Sequence, residues 1–173
     1  ALSDAQHFSR LPVTPVRDEQ GTWKEVQIVL PGRTLFARIW KVQVGRIPLY
    51  LLDTDYEANQ HGDREITYNL YGGDNENRLK QEILLGIGGI RALRSIGLDT
   101  DLYHCNEGHA AFTSLERLRE YIQNGNMTFP EAVELVRASS LFTTHTPVPA
   151  GHDSFEEDML RAYVAHYPER LRI

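Results

Sequence analysis

The sequence predicts an α/β fold: an N-terminal antiparallel β meander followed by a parallel sheet with flanking helices. Three observations carry this. The first third alternates apolar and polar residues in runs parted by short turns. From about residue 75 apolar residues recur at steps of three and four, the period of a helix face. Within that helical stretch lie two short β-prone segments, so strand, helix, helix, strand forms a crossover unit that favours parallel pairing.

Composition bounds the rest. A chain of 173 residues has room for one domain or little more. With 24% charged and 41% apolar residues it is ordinary for a globular protein and too apolar for a disordered one. The net charge of −6 and the lack of any block of five basic residues argue against nucleic acid as a partner. No apolar run approaches the ~18 residues of a membrane span, so no membrane partner is expected. The lone cysteine, Cys105, excludes an intrachain disulfide and any CxxC site. It fits a reducing compartment, the cytoplasm. The chain opens Ala1-Leu2-Ser3-Asp4 and closes just past a helical pattern, as expected of a segment of a longer protein.

The elements follow in order. Residues 13–16 are β-prone, and 18–21 are a turn. Residues 23–30 alternate, 34–44 repeat that composition, and 47–52 form an apolar run, with Pro31-Gly32 and Gly45-Arg46 as turns between them. Residues 53–63 are polar and without period, hence a loop. A short helix is expected over 64–70 and a break at Tyr71-Gly72-Gly73. Asp74 is placed to cap a long helix over 75–96 whose apolar face is Leu79, Ile83, Ile87, Ile90 and Leu93. Gly97 stands where a left-handed C-terminal residue is wanted. Strands are expected over 102–105 and 140–144, helices over 110–123, 128–139 and 155–167. Thr128 and Glu131 have capping-box spacing. The resulting division is a β-rich segment, 1–55, and an α/β segment, 56–173.

In open α/β sheets ligands bind beyond the carboxyl ends of the strands. Asn106-Glu107-Gly108-His109 and the loop from His145 to His152 both follow such ends and should open on one edge. An amide, a carboxylate and imidazoles can bond a polyhydroxylated ligand from several directions, and Pro147 and Pro149 stiffen the second loop. Helix capping or a satisfied structural histidine would use the same residues. His104, His109, His145 and His152 match no zinc spacing, so no metal is expected. Cys105 and His104 are adjacent on a strand and point to opposite faces, which speaks against a thiol nucleophile. Gly86-Ile87-Gly88-Gly89 lies inside a helix rather than between strand and helix, so a nucleotide fingerprint fails on context, and close packing explains it better. Arg78 and Glu82, four apart, read as a solvated helix face.

Taken together, Leu70-Tyr71-Gly72-Gly73-Asp74, the run from Arg78 to Gly89, Asn106-Glu107-Gly108-His109 and the run from Thr144 to His152 resemble the α-glucan (glycogen/maltodextrin) phosphorylases, in the style of their short bacterial and archaeal branch. The motifs stand in family order and cover nearly the whole chain from about Pro12. The resemblance implies a Rossmann-like part of a two-lobed glycosyltransferase fold, within the N-terminal, glucan-side lobe. It implies phosphorolysis of a terminal α-1,4-linked glucosyl unit to glucose 1-phosphate, with α-1,4-glucan or maltodextrin and phosphate as partners and pyridoxal phosphate as cofactor. The full-length protein would form homo-oligomers as one option. The cofactor site would lie in the other lobe, so no catalytic and no cofactor-binding residue is assigned here. His145 matches a histidine whose backbone carbonyl meets the glucosyl ring. Asn106, Glu107 and His109 match an Asn-Asp-Thr-His motif beside the sugar, with glutamate in place of aspartate and glycine in place of threonine. Thr146 completes the expected substrate-binding set. The residues 53–63 fall where the family has a loop near the pocket mouth. A nucleotide-sugar glycosyltransferase lobe and a non-catalytic carbohydrate-binding module are the alternatives. The module would be favoured by a coplanar, exposed Trp23 and Trp40.

Overall fold

The computed structural model describes residues 11–70, 72–145, 147 and 154–173. The chain divides into two compact units, Ala1–Leu84 and Leu85–Ile173. Its class is α/β: one unit holds an antiparallel sheet, the other a parallel strand pair with helices.

In the first unit, β1 (Thr14–Pro15), β2 (Glu25–Leu30), β3 (Arg33–Val44) and β4 (Ile47–Asp53) form an antiparallel sheet around β3. Arg38 pairs with both Glu25 and Asp53, and Trp40 with both Pro15 and Leu51. Therefore β1 and β2 share one edge of β3, and β4 holds the other. The turns sit where glycine takes positive φ, Gly32 at 71° and Gly45 at 59°, which side chains resist. Alternation works as expected: Val26, Ile28, Leu30, Leu35, Ala37 and Ile39 are all buried on one face. Trp23 stands before β2, its backbone joined to Arg17 by an isolated bridge.

The stretch expected as a polar loop after β4 is tightly built in. Asp53, Thr54, Asn59 and Asp63 are buried. Where β4 ends, the Asn59 side chain takes over its ladder. Its Oδ1 accepts from Phe36 N at 2.9 Å, and its Nδ2 donates to Phe36 O and Thr54 O, both at 2.7 Å. The edge of β3 thus keeps its partners without another strand residue. Asp63, in α1 (His61–Arg64), receives Arg33 through Nε at 2.5 Å and a second nitrogen at 2.7 Å. A 3-10 turn, Glu65–Thr67, follows.

Helix α2 (Asn75–Ile83) starts at the Asp74 cap, whose carboxylate accepts from Asn77 N at 2.9 Å. The helical run to Ser95 is not uniform: a π turn, Leu84–Gly88, separates α2 from α3 (Gly89–Ser95). Glycine explains it. A Cβ on Gly86 would lie 2.7 Å from both Phe112 Cβ and Thr113 N, so close packing requires its absence. Close packing, expected for the whole glycine cluster, holds at Gly86, whereas Gly89 has open space around its missing Cβ. Gly97, at φ 81°, ends α3 with Gly97 N donating to Arg94 O and Leu98 N to Leu93 O. Glu82 is buried rather than solvated, 8% exposed.

The second unit carries β5 (Tyr103–Asn106) and β6 (Ser140–Thr143), paired parallel with Asn106 opposite Thr143. Between them run a 3-10 turn (Gly108–Ala110), α4 (Phe112–Arg119), a π turn (Glu120–Asn124) and α5 (Phe129–Ala138). Thr128 caps α5: Glu131 N donates to its Oγ1 at 3.4 Å, while its hydroxyl meets the Glu131 carboxylate at 2.8 Å. Ile122, Ala132 and Leu171 form a core with Leu115, Leu118, Tyr121 and Phe129 against it. The last helix is split into α6 (Glu157–Val164) and α7 (Tyr167–Arg170). Pro168 is the cause: it has no N–H for the carbonyl four residues back, so one continuous helix cannot pass through it.

Candidate functional site

The parallel register brings the two carboxyl ends of β5 and β6 side by side, and their loops meet. Asn106 closes β5, one residue beyond the expected strand end. Its Oδ1 lies 2.8 Å from His145 Nε2. One step back on the same face of the strand, His104 Nε2 lies 2.7 Å from Thr143 Oγ1. Two imidazoles are thus each held by a side chain of the opposite strand or its loop. His104 is exposed, and Cys105, on the other face, points its thiol to Ala110 O at 3.8 Å. The two therefore cannot act as a pair.

Glu107 is the joint between the loops. Its backbone N–H donates to Thr143 O at 2.8 Å, extending the sheet by one bond. Its carboxylate accepts His145 N at 2.5 Å on one oxygen and Thr144 Oγ1 at 3.1 Å on the other. The residue is 8% exposed. Its backbone sits at φ 58°, ψ −170°, a region in which only glycine is comfortable. His109 lies half-buried in the 3-10 turn that follows. Thr146 and His152 are outside the described residues, so their expected places beside His145 have no structural account.

Of the expected substrate-binding residues, Asn106, Glu107 and His145 come together directly. Thr143 and Thr144, which belong to the same candidate run as His145 but carried no role of their own in the sequence reading, join them. The strand register carried the missing signal: pairing Asn106 with Thr143 places residues 143–145 beside 106–107. Among the described residues no group of three or more His, Cys, Asp or Glu is arranged to hold a metal ion. No helix among them is long and apolar enough to cross a membrane.

The tryptophans lie in the first unit and are half-buried. Their rings meet edge to face, 4.5 Å apart and 88° between planes. Trp23 Nε1 donates to Ile39 O and Trp40 Nε1 to Asp53. Arg38 stacks over Trp23 at 4.0 Å. A perpendicular pair locked to its own sheet offers no flat platform for a sugar ring.

No protein-family model matches the chain. Individual proteins do. Over 160 residues it is 47% identical to the glycogen phosphorylase of Mycobacterium tuberculosis, covering 89% of this chain and 18% of that protein. It is 44% identical over 161 residues to the maltodextrin phosphorylase of Thermococcus litoralis, 93% of this chain and 19% of that one. Along about nine-tenths of its length the chain is homologous to part of glycogen and maltodextrin phosphorylases. A third phosphorylase, the glycogen phosphorylase of Aquifex aeolicus, is 37% identical over 158 residues, 91% of this chain and 23% of its own length. The chain thus spans about a fifth of the length of these phosphorylases.

The phosphorylase family points to pyridoxal phosphate, which enzymes hold through a lysine. Residues 85–173 contain no lysine to hold it. Lys24, Lys41 and Lys80 all precede residue 85, and none belongs to the unit that carries Asn106, Glu107 and His145.

Proposed function

We propose that this chain is part of the N-terminal, glucan-side lobe of an α-glucan phosphorylase. That enzyme releases glucose 1-phosphate from the non-reducing end of α-1,4-glucans using phosphate. Residues 1–55 and 56–173 would be its β-rich and Rossmann-like segments within the two-lobed glycosyltransferase fold. The observation that supports this most is the 37–47% identity to glycogen and maltodextrin phosphorylases along about nine-tenths of the chain. The meeting of two polar loops at the carboxyl ends of parallel strands is what such a role needs.

Within this proposal Asn106, Glu107, His109, His145 and Thr146 bind and orient the terminal sugar. Asn106 fixes the His145 ring. Glu107 spends both carboxylate oxygens on the neighbouring loop, which suits a structural anion better than a proton donor. Carbonyl oxygens and a carboxylate near a sugar ring stabilise oxocarbenium-like charge as the glycosidic bond opens. The proton chemistry and the phosphate site belong to residues outside this chain, as does the cofactor. The protein acts in the cytoplasm.

The test is direct. The full-length protein that contains this chain, given maltodextrin and inorganic phosphate, should release glucose 1-phosphate, and stripping pyridoxal phosphate should abolish the release. Absence of release from fully loaded enzyme would sink the proposal. Transfer from a nucleotide sugar, with no phosphorolysis, would replace it by the glycosyltransferase alternative.

A further inference from the structure

Glu107 combines two features that do not normally coincide. A non-glycine residue at φ 58°, ψ −170° is strained. Its carboxylate is also buried, and a buried charge must be compensated. The hydrogen bonds show how both are sustained. The unusual backbone turns the side chain toward the end of β6, where His145 N and Thr144 Oγ1 donate to it. Glycine would relax the backbone at this position, and a Cβ there meets no such relief. The following residue, Gly108, does not take a positive φ, so the strain falls on the one position that carries the carboxylate.

We propose that Glu107 is a positioning residue: its carboxylate, aimed by a strained backbone, holds the His145 peptide N–H and fixes how Thr144 and His145 face the substrate. It acts through His145 and Thr144 rather than by touching the reacting atoms. His145 is then held at two points, the N–H by Glu107 and the ring by Asn106, at 2.5 and 2.8 Å. Two anchors on one residue leave its peptide little freedom to rotate. The inference rests on the sugar-binding role proposed above for His145.

The decisive comparison is Glu107→Gly, Glu107→Ala and Glu107→Gln in the full-length protein. Glycine removes the carboxylate and the strain together. Alanine removes the carboxylate and keeps the strain. Glutamine keeps one acceptor oxygen for His145 N without the charge. Hydrogen–deuterium exchange of peptides spanning residues 142–147 reads the anchor itself, independently of activity. Exchange should accelerate at least about tenfold in the glycine and alanine variants and less in the glutamine variant. Thermal stability should rank glycine above alanine. The kcat/KM for maltodextrin should fall about ten- to a hundredfold in the glycine variant. The KM for phosphate should stay within about twofold, which a general loss of structure would not allow. Unchanged exchange in Glu107→Gly would overturn the inference, and so would a phosphate KM that rises in parallel with that for glucan. Accelerated exchange in an enzyme whose wild type releases no glucose 1-phosphate would support the anchor and remove the phosphorylase proposal alone.

Discussion

Glu116 has no exposed surface, yet it stays ionised because three groups face it. Arg119 reaches it through two nitrogens, the closest contact 2.6 Å, and Arg91 at 3.0 Å. Tyr167 donates its hydroxyl at 2.8 Å, tying α7 to α4. Burial pushes the Glu116 carboxyl up, but the bonds from Arg119 and Arg91, the Arg91 charge and the Tyr167 hydroxyl outweigh it, and the net value lies below the ordinary 4.5. Its contribution to stability is therefore whole above about pH 4.5 and is lost as the pH falls through the folded value. Tyr167 behaves in the opposite sense. Burial, then the nearby Glu116 charge, raises its hydroxyl above the ordinary 10, so what its neutral form contributes is present below pH 10 and lost as pH rises through the folded value. Glu116→Gln should flatten the acid limb of a stability-against-pH curve. It should also cost about 3 kcal/mol at pH 7, since two guanidinium groups lose their common partner. Tyr167→Phe should leave the acid limb in place and flatten the alkaline one. Chemical denaturation between pH 3 and 11 measures both, and an acid limb unchanged in Glu116→Gln would show that the network does not carry it.

At the scale of the element, the helical run from Asn75 to Ser95 shows what a periodic pattern conceals. Its apolar spacing is that of one helix, and the π turn at Leu84–Gly88 leaves that spacing nearly intact. The interruption exists for packing, because Gly86 lets the Phe112 and Thr113 backbone come closer than a side chain permits. Gly86→Ala places a carbon 2.7 Å from that backbone, which cannot swing aside as a flexible side chain would. It should destabilise the protein by about 1–3 kcal/mol even though alanine is the better helix former, and a gain in melting temperature would refute the packing role. The same contrast governs what could be read in advance. Strands β2, β3 and β4, the Asp74 and Thr128 caps and the Gly97 stop were legible because each is written in neighbouring residues. The last helix, expected over 155–167, stops at Val164, and α7 starts only at the expected end. Asn59 was not legible: it looks like any loop asparagine, and its role depends on Phe36, 23 residues away. In the site, the pairing of two strand ends followed from a topological rule. The buried state of Glu107 and its positive φ did not, because both depend on Thr144 and His145 across the sheet.

For the molecule as a whole, the two-stranded sheet in residues 85–173 is the feature that asks for more chain. Two strands alone are marginal in water, and three or more, or helices over both faces, are normally needed. Here Leu141 and Phe142, neighbours in β6 that point to opposite faces, are 57% and 60% exposed, and Leu102 just before β5 is 73% exposed. Both faces of β6 thus carry uncovered apolar surface, and the family relatives are about five times longer than the stretch matched here. In the proposed enzyme, further strands and helices would cover β6. The acceptor side of the reaction would come with them, because no lysine in residues 85–173 can hold pyridoxal phosphate beside His145. The 173-residue chain by itself should therefore release no glucose 1-phosphate from maltodextrin and phosphate, even with pyridoxal phosphate added. It should also bind a hydrophobic dye that the full-length protein binds weakly, and Phe142→Lys should reduce that binding in the isolated chain while destabilising the full-length protein. Turnover by the isolated chain would contradict the division of labour directly, since every group assigned to proton transfer would have to lie within these 173 residues. Equal dye binding by both proteins would instead mean that β6 stays uncovered in the longer chain and that its two apolar faces serve something other than the completion of the sheet.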